Sequence, residues 1–225
     1  MNTPPPEQPS AEQVPLWLWR LAVAGFGLLL AGIIALALGL ALGLADPRPV
    51  GRLAWFDEFE HSEAEWQRLA GNAPHFQPAA LTVTAAAGGD VLLLTHTKTS
   101  DAFTFEVAGA QIAGVPGAGY GLVFGVADAS HYTAVLINNN GFLTAYRQAG
   151  STRTVYWAPQ EWPHILLGNQ ANRVRVDVRN ELAEVRINDE FFLAIPAVPG
   201  DIGLRVEHTA AAQTVRYDWA RLWEP

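Results

Sequence analysis

Residues 173–187 read RVRVDVRNELAEVRI, and the spacing of their apolar side chains decides the fold. Val174, Val176 and Val178 alternate with Arg173, Arg175, Asp177 and Arg179. Ala183, Val185 and Ile187 then alternate with Glu184, Arg186 and Asn188. A period of two sends successive side chains to opposite faces of a pleated strand, so each segment has one dry and one wet side. The pattern extends outward along the chain. Phe103, Phe105 and Val107 alternate with Thr104, Glu106 and Ala108, and Ile202, Leu204 and Val206 with Gly203, Arg205 and Glu207. Gly88-Gly89, Asn140-Gly141, Asn188-Asp189 and Pro199-Gly200 punctuate the runs as turns. About a dozen strands result, and only residues 60–69 have a briefly helical pattern. The class is all-β, an antiparallel sandwich or barrel. Arg173, Arg175, Glu184 and Arg186 share an outward face, where a solvated charge ladder is expected.

Two neighbouring stretches refine this. HYTAVLINNNGFLTAYR, residues 131–147, is a hairpin whose Asn139-Asn140-Gly141 turn is chosen for positive φ; Tyr132 and Tyr146 on its strands are candidates to face a ligand. In GYGLVFGVAD, residues 119–128, Tyr120, Leu122, Phe124 and Val126 form a bulky face. Gly119, Gly121 and Gly125 mark the other face as a place of close approach, by a ligand or by an opposed sheet.

The N-terminal region is of another kind. Residues 1–15 hold five prolines and almost nothing apolar beyond Met1 and Val14, so a disordered tail is expected. Residues 16–45 form the membrane segment, and no charged residue occurs between Leu21 and Ala45. The 24 residues Leu21–Leu44 make a helix of about 36 Å, enough for a hydrocarbon core of about 30 Å with some tilt. Signal-peptide apolar regions run only about 7–15 residues, so an uncleaved anchor is expected, although Gly43 and Ala45 are small enough to precede a cleavage point. Trp17 and Trp19 suit one interface and Trp55 the other. Gly39 and Gly43 make a Gly-x-x-x-Gly pair through which two helices can approach, against the plainer reading of small residues common in any such span. Residues 46–51, DPRPVG, form a stiff linker, and residues 52–225 the single remaining domain.

Setting aside Arg20, Glu7 and Glu12, residues 46–225 carry 13 basic and 20 acidic side chains, a balance of −7. An acidic chain without a basic cluster argues against nucleic acid, and against anionic lipid, as a ligand. The absence of cysteine excludes disulfides and a lipid-modified cysteine anchor.

Chemistry is less legible. No Glu-x-Asp-x-Glu occurs, and Asp189-Glu190, the nearest approach, falls at a hairpin turn. Histidines at 61, 75, 96, 131, 164 and 208 have no metal-ligand spacing, and neither a Gly-x-Ser-x-Gly nor a phosphate loop is present. Asp57, beside Glu58 in FDEF, and Asp218 in YDW are candidates for a structural Ca²⁺ where the first and last strands meet, against the plainer reading of turn acids. The aromatic loop VYWAPQEWPHI, residues 155–165, gathers Tyr156, Trp157, Trp162 and His164. Flat rings suit the apolar face of a sugar, with Glu161 or Gln160 bonding hydroxyls. Trp157 is expected to fold back on the core and Trp162 to stand exposed for stacking.

The succession FDEFEHSEAEW, FTFEV, the 119–150 hairpins, VYWAPQEW, GNQANRVRVDV, AEVRINDEFF, GDIGLRVE and VRYDWARLW resembles the concanavalin A-like lectin and glucanase jelly roll, over roughly residues 52–224. The resemblance lies in the branch that includes laminin-G-like and 3-keto-disaccharide hydrolase domains. Asn188-Asp189 stands where such domains often have Asn-Gly. The resemblance implies a jelly-roll β-sandwich and carries over no catalytic residue, because the glucanase motif is missing. Positive charges do not orient the helix, with Arg20 and the terminal amine before it and Arg48 and Arg52 after it. A short tail and a domain of a type usually exported favour an inside N-terminus. The expectation is a single-pass membrane protein displaying an extracytoplasmic binding module for a glycan or protein, without catalysis. The alternatives are a 3-keto-disaccharide hydrolase-like glycosidase and an accessory subunit of a membrane complex.

Overall fold

The computed structural model describes residues 15–42, 44, 47–60, 63–95, 100–208 and 210–225. His61, His96, Gly43 and the proline-rich tail before Pro15 therefore lie outside the described residues. The chain divides into two units, Met1–Pro47 and Arg48–Pro225. The first contains α1, Leu16–Ala41, a helix of 26 residues with no buried side chain. With a mean hydropathy of 2.6 over an 18-residue window, it is long and apolar enough, by length and composition, to cross a membrane.

The second unit is built of strands. They are β1 Arg52–Asp57, β2 Trp66–Ala70, β3 His75–Gln77, β4 Ala80–Ala85, β5 Val91–Thr95, β6 Phe103–Ala113, β7 Tyr120–Asp128 and β8 His131–Ile137. There follow β9 Phe142–Ala149, β10 Thr152–Glu161, β11 Asn172–Arg179, β12 Leu182–Ile187, β13 Glu190–Pro196, β14 Asp201–Val206 and β15 Gln213–Glu224. The helical turn expected in residues 60–69 shrinks to a single 3₁₀ turn, Glu63–Glu65.

Two antiparallel sheets form a sandwich. The first runs β13-β12-β11-β6-β15-β4-β3, with β1 paired to β15, and the second runs β10-β9-β8-β7-β14-β5-β2. Period two places Val174, Val176 and Val178 opposite Ile187, Val185 and Ala183 across the β11–β12 ladder, and all six are buried between the sheets. From the second sheet, Leu122, Phe124, Val135, Ile137 and Leu204 meet them. A slip of one residue would turn every one of these side chains to water, which is why the register is fixed.

The outward faces are drier than alternation alone predicts. Tyr132, Tyr146, Leu92, Leu94 and Val123 form a second buried cluster made only of second-sheet side chains, on the face turned away from the first sheet. The charge ladder of the first sheet is solvated at Arg173 and Glu184 but not at its centre: Arg175 is only 3% exposed and is ion-paired to Asp177 at 3.2 Å and to Asp189 at 3.6 Å. Five strands lie side by side here, so the stems of long side chains cover one another.

The close approach flagged by the β7 glycines is internal. Gly125 has φ +59°, and a Cβ there would stand 2.5 Å from Val198 Cγ2 and 2.8 Å from the Val198 carbonyl. The chain after β13 therefore occupies that space. At the far edge of the second sheet, β10 pairs with β9 through two breaks in register, at Val155/Trp157 and Trp157/Gln160, and contains Pro159.

Candidate functional site

Cross-strand register builds a pocket on the outward face of the first sheet. Ala108 of β6 lies opposite Arg173 of β11 on one side and Trp219 of β15 on the other. A methyl group between a guanidinium stem and an indole leaves a gap in the surface. Ala108 is the floor of a cavity of about 470 Å³ whose walls include Arg173 and Trp219. A bulge in β15 between Tyr217 and Trp219 inserts Asp218, which also lines the cavity. An extra residue of this kind re-aims side chains that strict alternation would separate.

The rim comes from a turn and a loop tied together. Asn188 and Asp189 hold φ of 52° and 73°, so the β12–β13 connection has both central residues in the left-handed region, as a two-residue hairpin demands. Asn tolerates this conformation, and here its side chain is also used. Asn188 Nδ2 donates to the His164 carbonyl at 2.7 Å and to Asn172 Oδ1 at 2.8 Å, while Asn188 Oδ1 accepts from the Arg173 N–H at 2.8 Å. Asn172 in turn accepts from the Leu166 N–H at 2.7 Å and donates to the Leu166 carbonyl at 2.9 Å. His164, Leu166 and Asn188 thus border the cavity as one hydrogen-bonded unit, and Glu190 at the head of β13 lines it beside them.

The electrostatics are mixed in sign. Arg173 is paired with Asp189, and Asp218 accepts from Arg216 Nε at 2.8 Å. The Arg221 guanidinium lies 4.1 Å from the Trp219 ring centroid, a cation–π contact that steadies the ring. Glu106 stands one outward position along β6 from Ala108, in register between Arg175 and Arg221. Burial pushes its carboxyl pKa up, against the pull of Arg175 and Arg173.

The sequence-predicted residues are distributed over several places. His164 and Asp218 share the cavity just described. Glu161 and Trp162 line a separate recess of about 450 Å³ with Asn140 and Gly141. Trp162 is not the exposed ring: it is half-buried against the core, 4.9 Å edge-on from Phe192, and the backbone N–H of Trp162 donates to the Gly141 carbonyl at 2.8 Å. Trp157 is the exposed one, at 37%, with its ring 5.0 Å from Phe192. The breaks in register around Trp157 reverse the two expectations, because period two cannot be counted through β10. Tyr156 packs at the margin of the core.

Tyr132 and Tyr146 lie together on the second sheet, 6.4 Å apart, and are almost wholly buried. The Tyr146 hydroxyl donates to Glu207 Oε1 at 2.7 Å, and the Arg205 guanidinium lies 5.0 Å from the Tyr132 ring. Asp57 and Asp218 do not converge. Both Asp57 oxygens accept, from the Phe59 N–H at 2.6 Å and from Trp66 Nε1 at 2.7 Å, inside the sandwich. Among the described residues no group of three or more His, Cys, Asp or Glu side chains is placed to hold a metal ion.

Sequence reasoning missed Ala108, Arg173, Asn188, Glu190 and Trp219 as a site. One signal was present, the Asn-Asp turn in place of Asn-Gly, since a side chain kept at a left-handed position suggests a use for it.

No protein-family model and no curated protein matches the chain. Solved structures do. The carbohydrate-binding module CBM66 from Bacillus subtilis aligns over 68% of this chain and 91% of its own, at 16% identity and a TM-score of 0.54. The catalytic domain of an endo-1,3-beta-glucanase (laminarinase) from Thermotoga petrophila RKU-1 aligns over 79% of this chain and 99% of its own, at 8% identity and a TM-score of 0.54. The Bacteroides ovatus xyloglucan PUL GH43B aligns over 78% of this chain at 14% identity and a TM-score of 0.59, and this chain spans 39% of its length. At these identities the likeness is one of fold, and the fold is the jelly-roll β-sandwich.

Proposed function

We propose that this chain is a single-pass membrane protein whose jelly-roll domain, outside the cytoplasmic membrane, binds a glycan in the cavity over Ala108 and does not transform it. The observation that carries the reading is the lining of that cavity. An indole, two carboxylates, an amide, an imidazole and a guanidinium surround a gap of sugar size, the mixture of apolar plane and oriented polar groups that a polyhydroxylated ring requires. The fold supports it, because structures that share it include a carbohydrate-binding module and glycosidases. The length and apolarity of α1 support the anchor. The laminin-G-like and 3-keto-disaccharide hydrolase branch remains the assignment within the fold.

The test is a glycan array probed with residues 48–225, followed by titration of any hit against Ala108→Leu and Glu190→Ala. Filling the floor with Leu is expected to weaken binding at least tenfold, and Glu190→Ala severalfold. Binding unchanged by both variants would move the site elsewhere. A second reading, glycoside hydrolysis, draws on Glu190 and Asp218 sharing one cavity, since that chemistry uses a pair of carboxylates. Release of a shortened product by the wild type, lost in Glu190→Gln, would replace binding with catalysis.

A further inference from the structure

The first strand of the domain and the bend just before it carry apolar side chains that the fold leaves uncovered. Val50, Leu53 and Phe56 are 53%, 49% and 41% exposed, three large side chains within seven residues. They are not scattered. Between Leu53 and Trp55 the β1–β15 ladder shifts by one residue, so Leu53 lies opposite Trp223 and Phe56 opposite Arg221. Trp55 turns inward instead, against the core, and its Nε1 donates to Glu65 Oε2 at 2.9 Å. The bulge thus puts Leu53 and Phe56 on the outward side together, with the Arg221 guanidinium 4.8 Å from the Phe56 ring. Arg52 is exposed at the head of the strand. Leu, Phe, Trp and Arg in this mixture are the side chains that settle at the boundary between lipid and water, rings and aliphatic groups below and guanidiniums at headgroup level.

Chain length says which surface is within reach. α1 ends at Ala41 and β1 opens at Arg52, so ten residues, 42–51, separate them. A fully extended chain covers at most about 3.6 Å per residue, so β1 begins no more than about 40 Å from the end of the helix. We infer that the face formed by Leu53, Phe56 and Trp223, with Arg52 and Arg221, rests on the phospholipid surface of the bilayer that α1 spans. The inference rests on the membrane-anchor reading. The seat is apolar: the balance of −7 over residues 46–225 leaves no general attraction to anionic headgroups, so zwitterionic lipid suffices.

The chain has no cysteine, so each introduced cysteine is the single labelling site. Leu53→Cys, Phe56→Cys, Ser151→Cys and Leu30→Cys, each carrying an environment-sensitive fluorophore, would be reconstituted at full length into phosphatidylcholine vesicles. A fraction of the lipid would carry a quencher near the headgroup or deep in the acyl chains. Ser151 is an exposed turn residue of the other sheet and serves as the water-facing reference. The expected result is shallow quenching at positions 53 and 56 at least threefold above that at 151, with deep quenching at 30. Equal quenching at 53, 56 and 151 with position 30 deeply quenched would overturn the seat while keeping the anchor. No deep quenching at position 30 would overturn the anchor, and the seat with it.

Discussion

The Tyr217 hydroxyl donates to the Gly121 carbonyl at 3.0 Å and accepts from the Gly121 N–H at 3.2 Å. Tyr217 belongs to the first sheet and Gly121 to the second, so this two-way bond crosses the middle of the sandwich. Burial, then the nearby Tyr120, pushes the phenol pKa upward, which keeps the proton that the bond needs.

Tyr217→Phe removes the hydroxyl and leaves a buried peptide group short of a partner. An unpaired buried polar group costs about 1–3 kcal/mol. Urea denaturation of residues 48–225 should show a loss in that range, with no change in slope. A loss below about 0.5 kcal/mol would mean that the cross-sheet bond contributes nothing net.

The two tryptophans of the aromatic loop should differ. Trp162 packs on the core and Trp157 is 37% exposed. Trp162→Ala is expected to cost about 3 kcal/mol, the lower end for a large aromatic removed from a packed site. Trp157→Ala should cost about 1 kcal/mol, closer to a surface change. Denaturation curves of the two variants that coincide, or fall in the opposite order, would contradict the packing.

Asp90 gives a signed pH dependence. Burial raises its pKa, but Arg205 and the hydrogen bonds from His208 outweigh that, and the net shift is downward from 3.8. His208 contributes its backbone N–H at 2.8 Å and its Nδ1 at 2.5 Å. An acid with a depressed folded pKa stabilises above its unfolded pKa, and the contribution disappears as pH falls through the folded value. Wild type should therefore exceed Asp90→Asn in stability above about pH 4, and the two should converge in stronger acid. A constant difference from pH 7 to pH 2 would exclude the linkage.

Gly203 tests packing without a left-handed backbone. A Cβ there would stand 2.0 Å from the Leu93 carbonyl oxygen across the β14–β5 ladder. Gly203→Ala must push two central strands apart, and overpacking of this kind costs about 1–3 kcal/mol, sometimes more. A variant as stable as wild type would show that the strands yield easily there.

The sequence made some features legible and hid others for identifiable reasons. Alternation at Val174–Val178 and Ala183–Ile187 identified strands, their inner faces and the turn at Asn188-Asp189, because a period of two is a local property. It could not say that Ala108 lies between Arg173 and Trp219, since that fact belongs to pairings between residues far apart in the chain. The burial of Arg175 is hidden for the same cause: a position that looks solvated in one strand becomes dry when neighbouring strands cover it on both sides. His164 and Asp218 each stand out in the sequence, for different reasons, and only the fold brings them to one cavity.

The irregular edge of β10 bears on how closely such domains can be crowded. An outer strand with a regular row of free amides invites another chain to add itself, which is the first step of sheet-to-sheet aggregation. Here two breaks in register and Pro159 interrupt that row within ten residues. Two copies brought together at this edge would find no regular template for joining.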